Sequence, residues 1–428
     1  MKIRVMKIKK YPIGIIVICL LLIMTCFKWL IEGILNKSIL EAAFCLALFL
    51  TIAYLKKLRI KKVSLIWITF VFNIVLSLFI HESEIGLWGR GAVTCLTILI
   101  VMMIDEPIGE YKAVIKLLLI IGIVNAILVV LHYLLKSSFN DYYFPLLNET
   151  ANNTAQLYTR YGYYFGLLYN PHESAGLIAI GMSAILLWNI IKKKNIKILY
   201  IISVLLIVPL LQTGKKAVFI CSILAIVLTI LSIYGSRKQW LRGSIMLLTF
   251  LLLAFVFINY ALRHPEVPFL NRFNIFFQSV IARDTMDSGR FLMYERALSE
   301  WRQHRLFGIG WRHFNALTVA KFGMTQNHEV NCDYLQWLCE TGVVGFMLSI
   351  FPVGVTFYRS IYISRNLRKY SNYGDLWVII VACFIQTFTI LYAFVEIPFF
   401  DLILFTVYMI SCAIINSAYA RRRIIHES

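Results

Sequence analysis

Long apolar runs separated by short polar ones dominate this chain. Twelve stretches, about 12–31, 38–55, 63–80, 86–104, 113–135, 161–191, 196–212, 217–234, 241–260, 334–358, 375–395 and 399–417, are almost wholly apolar. As a helix, a run of about twenty residues crosses a hydrocarbon core of roughly 30 Å. Lipid satisfies no open sheet edge, so helices are the predicted elements. The expected fold class is an all-α multi-pass membrane protein with about twelve transmembrane helices. Asn170-Pro171-His172-Glu173 interrupts the sixth stretch. The first is long, ends in Lys28-Trp29 and has no small-residue cleavage site. It is therefore predicted to be a span and not a cleavable signal peptide.

Two segments break the alternation, 136–170 and 261–333. The expected organisation is N-terminal transmembrane helices over 1–135, an external loop over 136–170 and central transmembrane helices over 171–260. A large external loop over 261–333 follows, then C-terminal helices and a cytoplasmic tail over 334–428. Within the large loop, Asp287 and Ser288 are helix start signals and Gly308 a stop. Between them Phe291, Tyr294, Leu298 and Trp301 recur at spacings of three and four. That pattern predicts an amphipathic helix lying at the membrane surface, with Arg290 in its first turn. Loops of this length are functional or disordered, and the aromatic content points to function.

Composition sharpens this picture. Of 428 residues, 60% are hydrophobic and 15% charged, which excludes a soluble domain. None of the nine cysteines forms a CxxC pair, so neither a disulfide framework nor a zinc ribbon is indicated. A net charge of +20 raises the question of nucleic acid. Its placement answers it: with the N-terminus inside, 25 Lys and Arg fall in cytoplasmic segments and five in short external loops. That is the positive-inside bias of a membrane protein with both termini cytoplasmic, and no nucleic acid is expected.

The departures from the bias carry the chemistry. Lys215-Lys216 lies on the external side, where lysine is scarce. Snorkelling at the interface is one reading. Cations that hold an anion, such as a lipid-linked diphosphate, are the other. Arg90 sits early in an apolar span, where a charge snorkels or faces protein or water. Six of eight histidines map outside: His81, His172, His264, His304, His313 and His328. The aromatics of 139–169 fit either a membrane-interface belt or sugar stacking. Finally, His328-Glu329-Val330-Asn331-Cys332 looks like a zinc-protease motif with its second histidine replaced by cysteine.

Four pieces together resemble the bacterial O-antigen ligase and O-antigen or capsule polymerase family, over roughly 160–350. "LLYNPHESAGLIAIG" resembles the family's Asn-Pro turn entering a span, and "LLQTGKKAVF" its Ser-Arg-x-Ala turn, with Lys215 where arginine is usual. "GRFLMYERALSEWRQHRLFGIGWRHF" resembles its Gly-Arg helix and Leu-Phe-Gly-x-Gly turn, and "DYLQWLCETGVVG" its terminal helix.

The resemblance implies a GT-C-type membrane glycosyltransferase without metal or other cofactor. Such an enzyme moves a glycan from undecaprenyl diphosphate to an acceptor glycan or glycolipid at the outer face of the bacterial cytoplasmic membrane. It implies arginines on the diphosphate, a loop histidine as base and inversion at the anomeric carbon. A chain-length regulator or a flippase is an implied partner. Carried onto this chain, His328 and Arg290 become candidate catalytic residues. Lys215, Lys216, Arg160, His172, Arg305, His313 and Asn331 become candidates for substrate binding. Asn331 stands where the family has histidine, and His328, three residues earlier, reaches the same space if the segment is helical. His313 and His172 are the alternative bases. Lys215 keeps a cation but lacks the bidentate fork of arginine.

The lysine-rich and isoleucine-rich character points to a polymerase over a ligase. From other classes come a lipid-linked oligosaccharide flippase or transporter and a zinc protease built on "HEVNC". Transporters place polar residues at the midplane of related halves, whereas here they gather in one external loop.

Overall fold

The computed structural model describes residues 12–35, 40–56, 62–81, 85–192, 197–233, 290–322, 328–366 and 372–427, with a few isolated positions besides. Every regular element among the described residues is helical. The N-terminal part holds α1 (Ile13–Leu35), α2 (Leu40–Lys56), α3 (Ile68–Ile80), α4 (Ile85–Met103) and α5 (Lys112–Leu135). Next come α6 (Ser137–Tyr143), α7 (Glu149–Arg160), α8 (Pro171–Lys192), α9 (Lys197–Leu205), α10 (Ile207–Gln212) and α11 (Lys216–Ile233). The C-terminal part holds α12 (Arg290–Gln303), α13 (Phe314–Ala320), α14 (Asp333–Arg365), α15 (Tyr373–Tyr392) and α16 (Leu402–Glu427).

Eight of these are long and apolar enough to cross a membrane: α1, α4, α5, α8, α11, α14, α15 and α16. The chain is thus an all-α multi-pass membrane protein, but the expected twelve spans reduce to eight among the described residues. Shorter apolar helices occupy three further expected stretches, at Glu41–Leu55, Leu65–Ile80 and Lys197–Gln212. The stretch 241–260 lies outside the described residues, apart from isolated positions.

The sixth span starts at Pro171 and not at 161. Proline at the first helical position loses no intrahelical bond. The Asn170 side chain accepts from the His172 N–H at 2.9 Å and caps the turn. Residues 136–170 are largely helical instead of an open loop. Asn148 caps α7 by accepting from the Ala151 N–H at 2.9 Å. Tyr143, Phe144 and Phe165 pack on Ala151 and Ala155 in a small apolar cluster. Those aromatics are core residues, whereas Tyr142 and Tyr161 are exposed.

Three helices form the centre. The most apolar windows of α8, α15 and α16 are 78%, 78% and 89% buried, so protein and not lipid surrounds them. A helix apolar on every face fits such a place. Buried polar groups bond between helices: the Trp377 indole donates to the Ala184 carbonyl at 2.8 Å, and Asn73 to Ser349 at 2.9 Å. In a low-dielectric interior such bonds fix helix register.

The amphipathic helix predicted after Arg290 is present as α12, with a different buried face. Met293, Ala297 and Glu300 are buried, and Phe291 is 70% exposed. The helix packs on α14, and Met293 and Ala297 share a cluster with Phe314, Val330 and Cys339.

Candidate active site

Two sequence pieces that resemble family motifs turn out to build one structure. α14 breaks at Gly342 (φ 65°, ψ −170°), which frees backbone donors and acceptors on both sides of the break. Residues 305–310 take them up. Val343 and Val344 donate to the Arg305 and Leu306 carbonyls at 2.9 and 3.2 Å. Ile309 and Gly310 donate to the Cys339 and Glu340 carbonyls at 3.1 and 2.8 Å. Two backbones approach so closely that a Cβ on Gly342 would stand 2.2 Å from the Leu306 oxygen, and one on Gly308 2.3 Å from the Glu340 carbonyl carbon. Buried Glu340 completes the joint by accepting from the Arg312 and Phe314 N–H groups at 2.7 and 3.3 Å. This joint sets Arg312, at φ 60°, beside a cavity.

That cavity has a volume of about 530 Å³. Its walls come from α1, α2, α4, α7, the start of α8, the segments 312–315 and 328–331, and the α15–α16 loop. Cations Lys28, Arg90 and Arg312 line it, as do carboxylates Glu41, Glu173, Glu329, Glu396 and Asp401. His172, His328 and Asn331 line it too, with Trp29, Tyr158, Tyr169, Tyr392 and Phe400. Arg90, exposed near the start of α4, thus lines a polar cavity.

Behind one wall lies a cluster of charged groups. Arg290 donates to Glu396 at 2.7 Å and to the Val395 carbonyl at 3.0 Å. His172 Nδ1 lies 3.4 Å from the same Glu396 oxygen and 3.0 Å from the Tyr392 hydroxyl. Lys215 Nζ contacts His172 Nε2 and sits over the Tyr158 and Tyr163 rings at 5.6 and 5.2 Å. Three segments remote in sequence therefore converge on one carboxylate that is 3% exposed. Burial lowers the Lys215 pKa to about 8, against the pull of Glu396. Burial likewise raises the Glu396 pKa, opposed by Lys215 and Arg290.

The other sequence candidates separate. His328 and Asn331 share the cavity, but not through a helix. Asn331 has φ 57°, Cys332 is extended, and α14 starts only at Asp333. The expected helical sharing of a face is absent, and with it the four-residue helical spacing that a zinc-protease motif needs. His313 bonds the Trp311 carbonyl through Nδ1 at 3.2 Å, and its ring packs by Gly310, outside the cavity. Arg160 is exposed at the end of α7, in a separate surface groove with Asn140 and Asp141. Arg305 is exposed and its Nε donates to the Arg302 carbonyl at 3.3 Å. Lys216 opens α11 and is not among the residues lining the cavity.

Sequence reasoning missed Glu396, Tyr392 and Asp401, although "YAFVEIPFFDLILF" held a signal. Two carboxylates in so apolar a setting are costly unless they have a task or a partner.

Among the described residues, a bundle of membrane-length helices thus surrounds a cavity lined by cations, carboxylates, histidines and aromatics, which defines a multi-pass membrane protein with a polar site. Residues 201–350 match the model of a family described as O-antigen ligase. The chain therefore carries a domain consistent with the O-antigen ligase/polymerase family, which is glycosyltransferase-like. The matched segment spans Lys215, Arg290, the joint of 305–310 with α14, and His328. No curated protein matches the chain.

Proposed function

We propose that the chain is a surface-polysaccharide polymerase or ligase that moves a glycan from undecaprenyl diphosphate to an acceptor hydroxyl. The observation that carries this reading is the convergence of Lys215, His172 and Arg290 on Glu396. An anion held there meets a preorganised ammonium and guanidinium at a protein surface with little water. Such groups stabilise charge as it develops on a leaving diphosphate and require no reorganisation. They supply the positive charge that other glycosyltransferases draw from a metal. The donor occupies this clamp and the acceptor the cavity beyond His172, Tyr392 and Glu396.

His328 is the base. His172 has both ring nitrogens engaged and His313 lies off the cavity, which leaves His328 among the three candidates. The acceptor hydroxyl gives its proton to an imidazole nitrogen, and its oxygen forms a bond to the anomeric carbon. The bond from that carbon to the diphosphate oxygen breaks, its electron pair staying on the phosphate. Attack opposite the leaving group inverts the centre. General-base help of this kind contributes about 10²–10⁴-fold. The site faces outward from the bacterial cytoplasmic membrane, and both termini are cytoplasmic.

Purified protein in liposomes, given lipid-linked repeat units alone, tests this. Growth of polymer without an added acceptor identifies a polymerase. Transfer only when a core glycolipid is supplied identifies a ligase. Absence of transfer with either, together with lipid-linked oligosaccharide transport that survives loss of His328 and Lys215, overturns the reading.

A further inference from the structure

Glu173 and Asp401 meet in the cavity, and no step above uses them. Glu173 sits in the first turn of α8 and Asp401 just before α16. Asp401 Oδ1 accepts from the Leu404 N–H at 3.0 Å, which fixes its carboxyl at the helix start. Both side chains line the same cavity, close enough for each to act on the other's charge.

The pair is not consumed by its surroundings. The charged or titratable groups near it include Lys28 and Cys26 from α1, Glu41 from α2, Tyr143, Tyr158, Tyr169, Arg312, Asp333 and Tyr392. Lys28 is ion-paired to Glu41, and Arg312 donates to the Phe400 carbonyl. Glu173 is only 6% exposed, yet its Oε2 has no hydrogen-bond partner. A buried carboxyl oxygen left unpaired is costly, and Glu173 lines a cavity large enough for sugar rings. Burial raises the Asp401 pKa. Trp29, Tyr158 and Phe400 in the same walls supply flat apolar surface for the opposite character of a sugar ring.

We propose that Glu173 and Asp401 form the acceptor-glycan subsite, in which a carboxyl oxygen accepts a hydrogen bond from a sugar hydroxyl neighbouring the attacking one and so holds the attacking hydroxyl in place. This rests on the glycosyl-transfer reading. The pair binds and orients, and the proton of attack still goes to His328.

Steady-state transfer is measured with lipid-linked repeat units as donor and, as acceptor, the repeat-unit oligosaccharide released from them by mild acid. Glu173→Gln and Asp401→Asn are expected to raise the acceptor KM about tenfold or more and to leave the donor KM unchanged. A second measurement needs no variant. Carbodiimide with an amine nucleophile labels accessible carboxyls of wild-type protein, read by mass spectrometry. Glu173 and Asp401 are expected to label in free protein and to be protected by the oligosaccharide. Equal labelling with and without it, including none, overturns the subsite, as does an equal change in both KM values. Protection without any transfer leaves the subsite standing and sinks the glycosyl-transfer reading. Transfer with neither KM nor labelling affected sinks the subsite alone.

Discussion

Arg290 donates to Glu396 at 2.7 Å, which ties the start of α12 to the α15–α16 loop across 106 residues of sequence. The proposed donor clamp is thus already occupied by an internal anion. A diphosphate must compete with this carboxylate for the guanidinium, and it does so with more charge and more acceptor oxygens.

Arg290→Ala removes the clamp and strands Glu396 in the interior. Breaking a buried pair costs several kcal/mol, and the partial exposure of Arg290 places this case near the lower end, about 3 kcal/mol. Transfer is expected to fall to a few thousandths or less of wild type, about 10³-fold. Pairing the change with Glu396→Gln should restore most of the thermal stability in detergent and none of the transfer. Recovery of transfer in the double variant removes Arg290 from the mechanism.

The Lys215 pKa of about 8 makes a pH prediction with a definite sign. The folded value lies below the free lysine value of roughly 10.4, so the native state holds fewer protons between those limits. Stability therefore rises with pH through that window, as the cost of burying the cation is relieved. Donor capture runs the other way, because the cation is lost above pH 8. The kcat/KM for lipid-linked donor should fall above that pH, and in Lys215→Arg the limb should vanish, since guanidinium stays charged. A limb unchanged in Lys215→Arg assigns it to another group.

How much of this was legible beforehand depends on the residue. Apolar runs of about twenty residues announce spans because lipid permits little else, and eight such helices are present. The α12 helix was visible, but its buried face was not. Phe291 looked like core by spacing, whereas α14 instead covers Met293 and Ala297. Lys215 and His172 stand out as charged or titratable groups beside apolar runs, and Arg290 as the cation in the first turn of the helix that resembles the family's Gly-Arg helix. Their meeting point does not, because Glu396 lies more than a hundred residues beyond Arg290 and no local pattern marks it. Arg160 and Arg305 were nominated on charge and segment alone, and the fold turns them away from the cavity.

The three histidines give a discriminating series. His328→Ala should lower kcat by about 10²–10⁴-fold with donor KM little changed. His172→Ala should chiefly raise the donor KM, because it removes the link between Lys215 and Glu396. His313→Ala should leave transfer nearly intact. Single-turnover assays of radiolabelled donor separate these effects, and a large kcat loss in His313→Ala would move the base to the other side of the joint.

Gly342→Ala tests whether the break in α14 matters to the site 30 residues upstream. Its φ of 65° costs an alanine about 1–2 kcal/mol. The added methyl also meets the Leu306 oxygen at 2.2 Å, where neither side is a flexible chain end. Pushing two backbones apart adds about 1–3 kcal/mol. The bonds from Val343 and Val344 to Arg305 and Leu306 then lengthen, and the turn that aims Arg312 loses its anchor. Both a lower melting temperature and weaker transfer are expected, with the loss of transfer exceeding that of Thr356→Ala. Thr356 bonds only the Pro352 carbonyl in the distal half of α14 and so serves as the comparison for instability alone. Equal losses in the two variants would mean that the joint holds the fold together and does nothing further for the cavity.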